Sequence, residues 1–401
     1  MADIKLKEIV SWSKGHSVPR DDTSVSKNIP YLHYGDLYKK YNFRLDLNKE
    51  YKSIIKIDPD SKIKPEQYLH DGDIVFTLTS ETVDDLGCCT LISNPEDLPF
   101  VTGMETTVVH ILDKNVVYPP YLNYLFQTNR LQKELRQYVT GMKVYRVHPK
   151  DLMNITVNVP SYDIQKKVAS FLDTISDKIV INHDINANLH DQIFSEFQYV
   201  RKSNKLNEVV LMDLCSFISR GVSPKYENNT GYWVLGQTCI RNHIVSMNNA
   251  RTLISKDYGD KTVHKGDILV NSTGVGSLGR VAQLWFEHPH LVADSHISIV
   301  RPKIGYEEYL GCFMMSIEDE IENMAEGSTG QTELPRRSLM QMMISIPEMD
   351  ILKLFGEKVR PLFDLIYKNL EINEKLTKIR DTLLPKLMSG EIDVSQLNLG
   401  D

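Results

Sequence analysis

The stretch Gly274-Val275-Gly276-Ser277-Leu278-Gly279 has the G-x-G-x-x-G spacing of a loop that cradles a pyrophosphate. Such a loop must open a helix, because the amides of the first helical turn hold the phosphates. Here Arg280-Val281-Ala282-Gln283-Leu284-Trp285 reads as a returning strand. The corresponding stretch earlier in the chain, Ser80–Gly87, lacks the spacing altogether. The turn is therefore read as a hairpin tip exposing backbone N–H groups and small hydroxyls. It is either an ordinary turn or one that approaches phosphates.

A second motif, Tyr118-Pro119-Pro120-Tyr121, resembles the Asn/Asp-Pro-Pro-Tyr signature of amino-methyltransferases. In those enzymes the polar side chain before Pro-Pro holds the target amino group, which a tyrosine cannot do, so the motif reads as the start of a helix. No metal cluster, nucleophile with a base, or pair of carboxylates stands out, and no catalytic residue is assigned. The five cysteines show no C-x-x-C spacing, so neither zinc nor a disulfide framework is indicated.

Basic and aromatic residues recur in loops at corresponding positions. Lys14 and Arg20 lie near the start of one domain-length segment, and Arg220, Lys225 and Tyr226 near the start of another. Lys143, Tyr145 and Arg146 follow Gly141 in the first. Thr329, Gln331, Arg336 and Arg337 occupy the matching region of the second. Arg and Lys bind phosphates or guanine edges, and Gln or Asn pairs with adenine. As clusters they favour DNA. The net charge of −7 argues against a DNA binder acting alone, although local clusters rather than whole-chain charge set phosphate affinity.

The elements that must position these residues come in two copies. Leu6–Glu8, Trp12 and Pro19 match Leu211–Asp213, Phe217 and Pro224. His70-Asp71-Gly72-Asp73-Ile74 matches His264-Lys265-Gly266-Asp267-Ile268, and Thr140-Gly141 matches Thr329-Gly330. After Pro160 and Pro347 the offset becomes constant: Ile175, Ile179, Asn182, Asn186 and Leu189 meet Leu362, Ile366, Asn369, Asn373 and Leu376. Spacings of three and four along Val168, Leu172, Ile175 and Ile179, and along Phe355, Val359, Leu362 and Ile366, predict two coiled-coil helices. Asn182 with Asn186, and Asn369 with Asn373, interrupt the two seams at the same place. Matched polar layers fix register and orientation.

Orientation follows from reach. The second copy begins only about six residues after Val200, a span of at most ~21 Å, whereas a helix over Asp163–Val200 is roughly 55 Å long. The second head is therefore expected at the far end of the first helix. The second helix then runs back antiparallel, bringing Asn182 to Asn373 and Asn186 to Asn369. In each head Asp73–Leu78 and Thr106–Leu112, or Asp267–Asn271 and Ile297–Val300, predict strands. Helices are expected over Tyr121–Tyr138 and Tyr306–Met324. The fold class is α+β: two similar α/β heads separated by two long helices in an antiparallel coiled coil, an internal repeat with a pseudo-twofold axis. The expected divisions are a first head over 1–160, a first helix over 161–203, a second head over 204–347, and a second helix with a tail over 348–401. With 41% apolar residues and no run long enough to span a membrane, the expected compartment is the cytoplasm.

The chain resembles the specificity (S) subunit of type I restriction-modification enzymes. The resemblance is carried by the duplicated layout, by Gly266-Asp267-Ile268-Leu269-Val270-Asn271-Ser272-Thr273-Gly274, by the Gly-Ser-Thr-Gly-Gln stretch from Gly327, by Asp163–Leu172, and by Leu383–Ile392. The first head departs from this pattern at Ser80–Gly87 and at Gly141-Met142-Lys143. The resemblance implies a non-catalytic DNA reader in which each head is a target recognition domain for one half of an asymmetric bipartite target. Ser272 and Thr273 join the candidate DNA contacts on this basis. The coiled coil would set the spacer and dock two methyltransferase (M) subunits, with restriction (R) subunits in the full complex. S-adenosylmethionine and ATP would be bound by those partners and no cofactor by this chain. The alternatives are a DNA-binding or scaffold protein without active restriction partners, and a stand-alone DNA-modifying enzyme.

Overall fold

The computed structural model describes residues 2–19, 22–41, 43–58, 62–327 and 332–394. The chain folds as two compact units, Met1–Ile179 with Lys375–Asp401, and Val180–Glu374. Each unit contains one α/β head and one stretch of each of two long helices, Tyr162–Ser203 and Met349–Ser389.

The head of the first unit is built on a sheet whose strands run in the order Val10–Lys14, Thr106–Ile111, Ile74–Thr77, Cys89–Ser93 and Arg44–Asp46. The second unit repeats the first four places with Cys215–Arg220, Ile297–Pro302, Ile268–Asn271 and Val281–Gln283. Ile74–Thr77 and Ile268–Asn271 are buried along their whole length. Strands covered on both faces read as continuous apolar runs, which is why these segments show no alternation. Each head also carries a three-stranded side sheet, centred on Ile29–Leu32 or Trp233–Leu235. A two-stranded ribbon in each unit pairs Ala2–Lys5 with Thr156–Val159, or Asn207–Val210 with Met343–Ile346.

The expected single helices are each broken in two. Pro119–Phe126 is followed by Asn129–Arg136, because Thr128 restarts the chain by accepting the Leu131 N–H at 3.4 Å as an N-cap. Glu307–Ser316 and Glu318–Asn323 meet at Ile317, whose backbone leaves the helical region. Tyr118-Pro119-Pro120-Tyr121 does begin a helix, with proline in the first turn, where its missing N–H costs nothing.

The Gly-Asp turns before the central strands are locked by buried carboxylates. Asp73 accepts the His70 N–H at 2.8 Å, and Asp267 accepts that of His264 at 2.9 Å. A buried carboxylate needs a donor or cation, and the two heads supply different ones. His110 Nδ1 lies 3.0 Å from Asp73, whereas Arg301 grips Asp267 with two bonds of 2.8 Å. Ser13 Oγ lies 2.8 Å from His110 Nε2, so Ser13, His110 and Asp73 have the connectivity of a nucleophile–base–acid relay. Because Arg301 fills the same role in the second unit, the shared function of the acid is to lock a turn.

In the second unit the long helices pair through their asparagines. Asn182 donates to Asn373 Oδ1 at 2.7 Å, Asn369 donates to Asn186 Oδ1 at 2.8 Å, and Asn186 donates to the Ile366 carbonyl at 3.2 Å. All four side chains are buried. Residue numbers rise on one helix as they fall on the other, so the pairing is antiparallel. Leu189, Ile193, Leu362 and Ile366 continue this seam into the second unit's core, and Val168, Leu172, Leu384 and Leu387 lie in the first unit's core.

Each head is latched to its helix at matching positions with opposite charge. In the first unit Asp173 of the helix accepts from Arg44 at 2.9 Å and from the Tyr124 hydroxyl at 3.0 Å. Burial raises the Asp173 pKa in spite of Arg44. In the second unit the helix supplies the cation: Arg360 donates to buried Glu308 at 2.6 Å. Asp173 and Arg360 stand at the same offset as the asparagine pairs.

Candidate nucleic-acid interface

In the first unit the strand registers gather the candidates at one end of the sheet. Lys14 lies opposite Thr107, whose neighbour Thr106 lies opposite Thr77. Just beyond, Thr79–Ser80 pairs with Tyr145–Arg146. Thr140 and Arg146 exchange N–H···O bonds of 2.9 and 2.8 Å, closing a hairpin whose tip bears Lys143. Lys14, Lys143 and Arg146 are exposed and Tyr145 is half-buried. Arg20 lies outside the described residues.

The second unit repeats the arrangement with different chemistry. Arg220 lies opposite Ser298 at the end of its strand, but its guanidinium donates to Glu333 Oε1 and to the Leu334 carbonyl, both at 2.7 Å. Burial lowers its pKa, with Glu333 opposing. Arg220 thus anchors the segment behind the hairpin in which Glu326 and Glu333 exchange bonds of 2.9 Å. That pairing puts Gly327, not Gly330, in the place of Gly141. The loop is one residue longer than in the first head, which shifts the match made from Thr140-Gly141 and Thr329-Gly330. Thr329 and Gln331 fall outside the described residues.

Ser272 is fully buried and shares its hydroxyl with Ser298 at 2.8 Å, so it presents no surface. Thr273 is half-buried, with Oγ1 2.8 Å from His296 Nδ1 and 3.0 Å from the Gln237 amide that donates to it. Arg336 and Arg337 are exposed at the start of the short helix Arg336–Met340. Lys225 and Tyr226 are exposed too, and the Arg251 guanidinium stacks 3.6 Å from the Tyr226 ring centroid. Gln237 and His296 have no local sequence signal, because only the fold brings them to Thr273.

The strands Ile74–Thr77 and Ile268–Asn271 each lead into a turn with one shared frame. Gly87 N–H donates to the Thr77 carbonyl and Gly279 N–H to the Asn271 carbonyl, both at 2.9 Å. The glycines have φ of +88° and +86°, a region glycine enters at no steric cost. The leucine before each, Leu86 or Leu278, is buried and pins the turn from within. The G-x-G-x-x-G stretch therefore closes a hairpin onto Val281–Gln283, as expected, and opens no helix. The interface offers charge and hydrogen bonds. Among the described residues, no group of three or more His, Cys, Asp or Glu could hold a metal ion, and no helix is long and apolar enough to cross a membrane.

Comparison with known proteins agrees with this architecture. A family model described as the type I restriction modification DNA specificity domain matches residues 1–191. The type I restriction enzyme MjaIX specificity subunit of Methanocaldococcus jannaschii is 25% identical over 316 residues, 72% of this chain and 72% of that protein. The type I restriction enzyme HindI specificity subunit of Haemophilus influenzae is 33% identical over 84 residues, 21% of this chain and 18% of that one. The crystal structure of the type I restriction-modification system S subunit from M. genitalium has the same fold, with a TM-score of 0.56 at 15% identity over 96% of this chain and 95% of its own. With its duplicated heads and paired helices, the chain is similar in sequence to the specificity subunits of type I restriction-modification systems and shares the fold of one of them.

Proposed function

We propose that this chain is the non-catalytic DNA reader of its complex, in which each head recognises one half of an asymmetric bipartite target. The paired helices set the spacer and dock two methyltransferase subunits, and restriction subunits complete the assembly. S-adenosylmethionine and ATP are bound by those partners. DNA contacts come from the sheet end in one head, with Lys14, Lys143, Tyr145 and Arg146. In the other they come from Thr273 at the matching end, together with Lys225, Tyr226, Arg336 and Arg337 on the exposed surface of that head. Arg220 acts from behind, holding the segment around Glu333.

The observation that carries this reading is one repeated frame bearing two different sets of exposed residues. Equal frames present their tips alike, and unlike tips read unlike half-sites. The acidic balance is compatible with it, because partner subunits help to enclose the DNA. The test is methylome sequencing of cells carrying this gene with its methyltransferase partner, against cells lacking this gene alone. A gene-dependent motif with two unlike halves and a fixed gap is expected. An active, assembled methyltransferase complex that yields no such motif would overturn the reading.

A further inference from the structure

The turns after Thr77 and Asn271 share their frame but not their tips. Gly87 and Gly279 make the same backbone bond, and Leu86 and Leu278 are buried beneath. Between these fixed points the first unit has two more residues than the second. Its tip is acidic: Glu81 is exposed and the Asp84 side chain is 94% exposed, with Arg136 only at 3.7 Å. Asp85 is turned inward, accepting from Thr82 Oγ1 at 2.6 Å and from Ser80 Oγ at 3.3 Å.

The tip in the second unit is apolar and stiff. Val275 is 93% exposed between two positive-φ glycines, Gly274 and Gly276. Arg280 donates to the Gly276 carbonyl at 2.5 Å, Leu278 N–H to the Gly274 carbonyl at 3.0 Å, and the Gln237 amide to the Thr273 carbonyl. A valine held out in water by a braced turn gains nothing for folding from its position. Single exposed apolar residues are ordinary, but this one shares its sheet end with the candidate DNA contacts.

We infer that these two turns are the base-reading elements that make the half-sites differ. Val275 packs against a thymine 5-methyl group, and the first unit's acidic tip, Glu81 or Asp84, accepts from an exocyclic amino group of cytosine or adenine. The inference rests on the DNA-reading function proposed above and names its chemistry. A two-stranded ribbon enters the major groove, where thymine shows its methyl and cytosine and adenine show their amino groups. Phosphates repel carboxylates, so an acidic tip at a DNA face is matched to a base donor and not to the backbone.

The test uses the assembled methyltransferase complex on the duplex that methylome sequencing defines. Each thymine of the second unit's half-site is replaced in turn by uracil, which removes the methyl and keeps every hydrogen bond. One replacement should slow methylation by about fourfold, the worth of one buried methyl group. Val275→Ala should abolish that sensitivity and Val275→Ile should retain it. A half-site lacking thymine on both strands, or equal uracil sensitivity in wild type and Val275→Ala, would overturn the assignment. Grafting Gly274–Ser277 in place of Ser80–Asp85 should change the first half-site and leave the second as it was. A grafted complex that methylates the original motif would also overturn it. A wild-type complex that methylates nothing would instead remove the function on which the inference stands.

Discussion

Asp73 and Asp267 do the same work with different partners, and that difference predicts unequal costs. Replacing Arg301 with Met leaves Asp267 buried without its cation, so a loss of about 3–5 kcal/mol is expected. Both carboxylates keep a backbone N–H bond. Replacing His110 with Ala, however, removes one partner from Asp73 where the Arg301 change removes two charge-assisted bonds from Asp267, and about 1–3 kcal/mol is expected. Thermal unfolding of the two variants checks the order. His190 supplies a pH test. Its Nε2 lies 3.0 Å from His243 Nδ1, and His243 Nε2 lies 3.5 Å from Glu318. Burial first, then His243, holds His190 below the ordinary imidazole range, while Asp191 opposes. The unfolded chain then binds the proton more readily as pH falls through about 6.5, so the folded state loses stability from there down through the lowered pKa. His190→Gln should flatten that acid-side slope in a pH series of denaturation midpoints, and an unchanged slope would place the proton uptake elsewhere. At this scale the Gly-Asp turns were legible from residue types alone. The cations that lock them were not, since His110 and Arg301 lie a strand away, and neither was the burial of Ser272 or the engagement of Arg220.

The seam of the long helices was legible down to its asparagine pairs, because periodicity survives where a helix packs along one stripe. Boundaries in the heads were harder. The breaks at Thr128 and Ile317 interrupt helical patterns without Gly or Pro, and the side sheets are made of strands as short as Lys56–Ile57, Val101–Thr102 and Arg251–Thr252. Such pieces carry too few residues to show a period. The asparagine pairs yield a prediction at the element scale. Replacing Asn182, Asn186, Asn369 and Asn373 together with Leu should leave the protein as stable or more so, since apolar substitutes for a buried polar set are often neutral or stabilising. It should, however, widen the range of spacers methylated, as pairings offset by a heptad become permissible. Spacer selectivity identical to wild type would show that the asparagines do not govern register.

For the molecule as a whole, the ruler proposed for the helices can be shortened. Removing one heptad from each helix, at matched positions that spare the asparagines, takes out roughly 10 Å of helix. At ~3.4 Å per base pair that is about three base pairs of spacer. Methylome sequencing of the deletion should return the same two half-sites with a gap shorter by about that amount, and an unaltered gap would end the ruler reading. The first unit has a consequence in time as well. Its core holds Leu384, Leu387, Met388 and Val394 beside residues from the start of the chain. A ribosome adding about 5–20 residues per second needs tens of seconds to go from Ile179 to that stretch. The first head to emerge is thus the last to close, and in the interval its apolar face is open to chaperones or to the wrong partner.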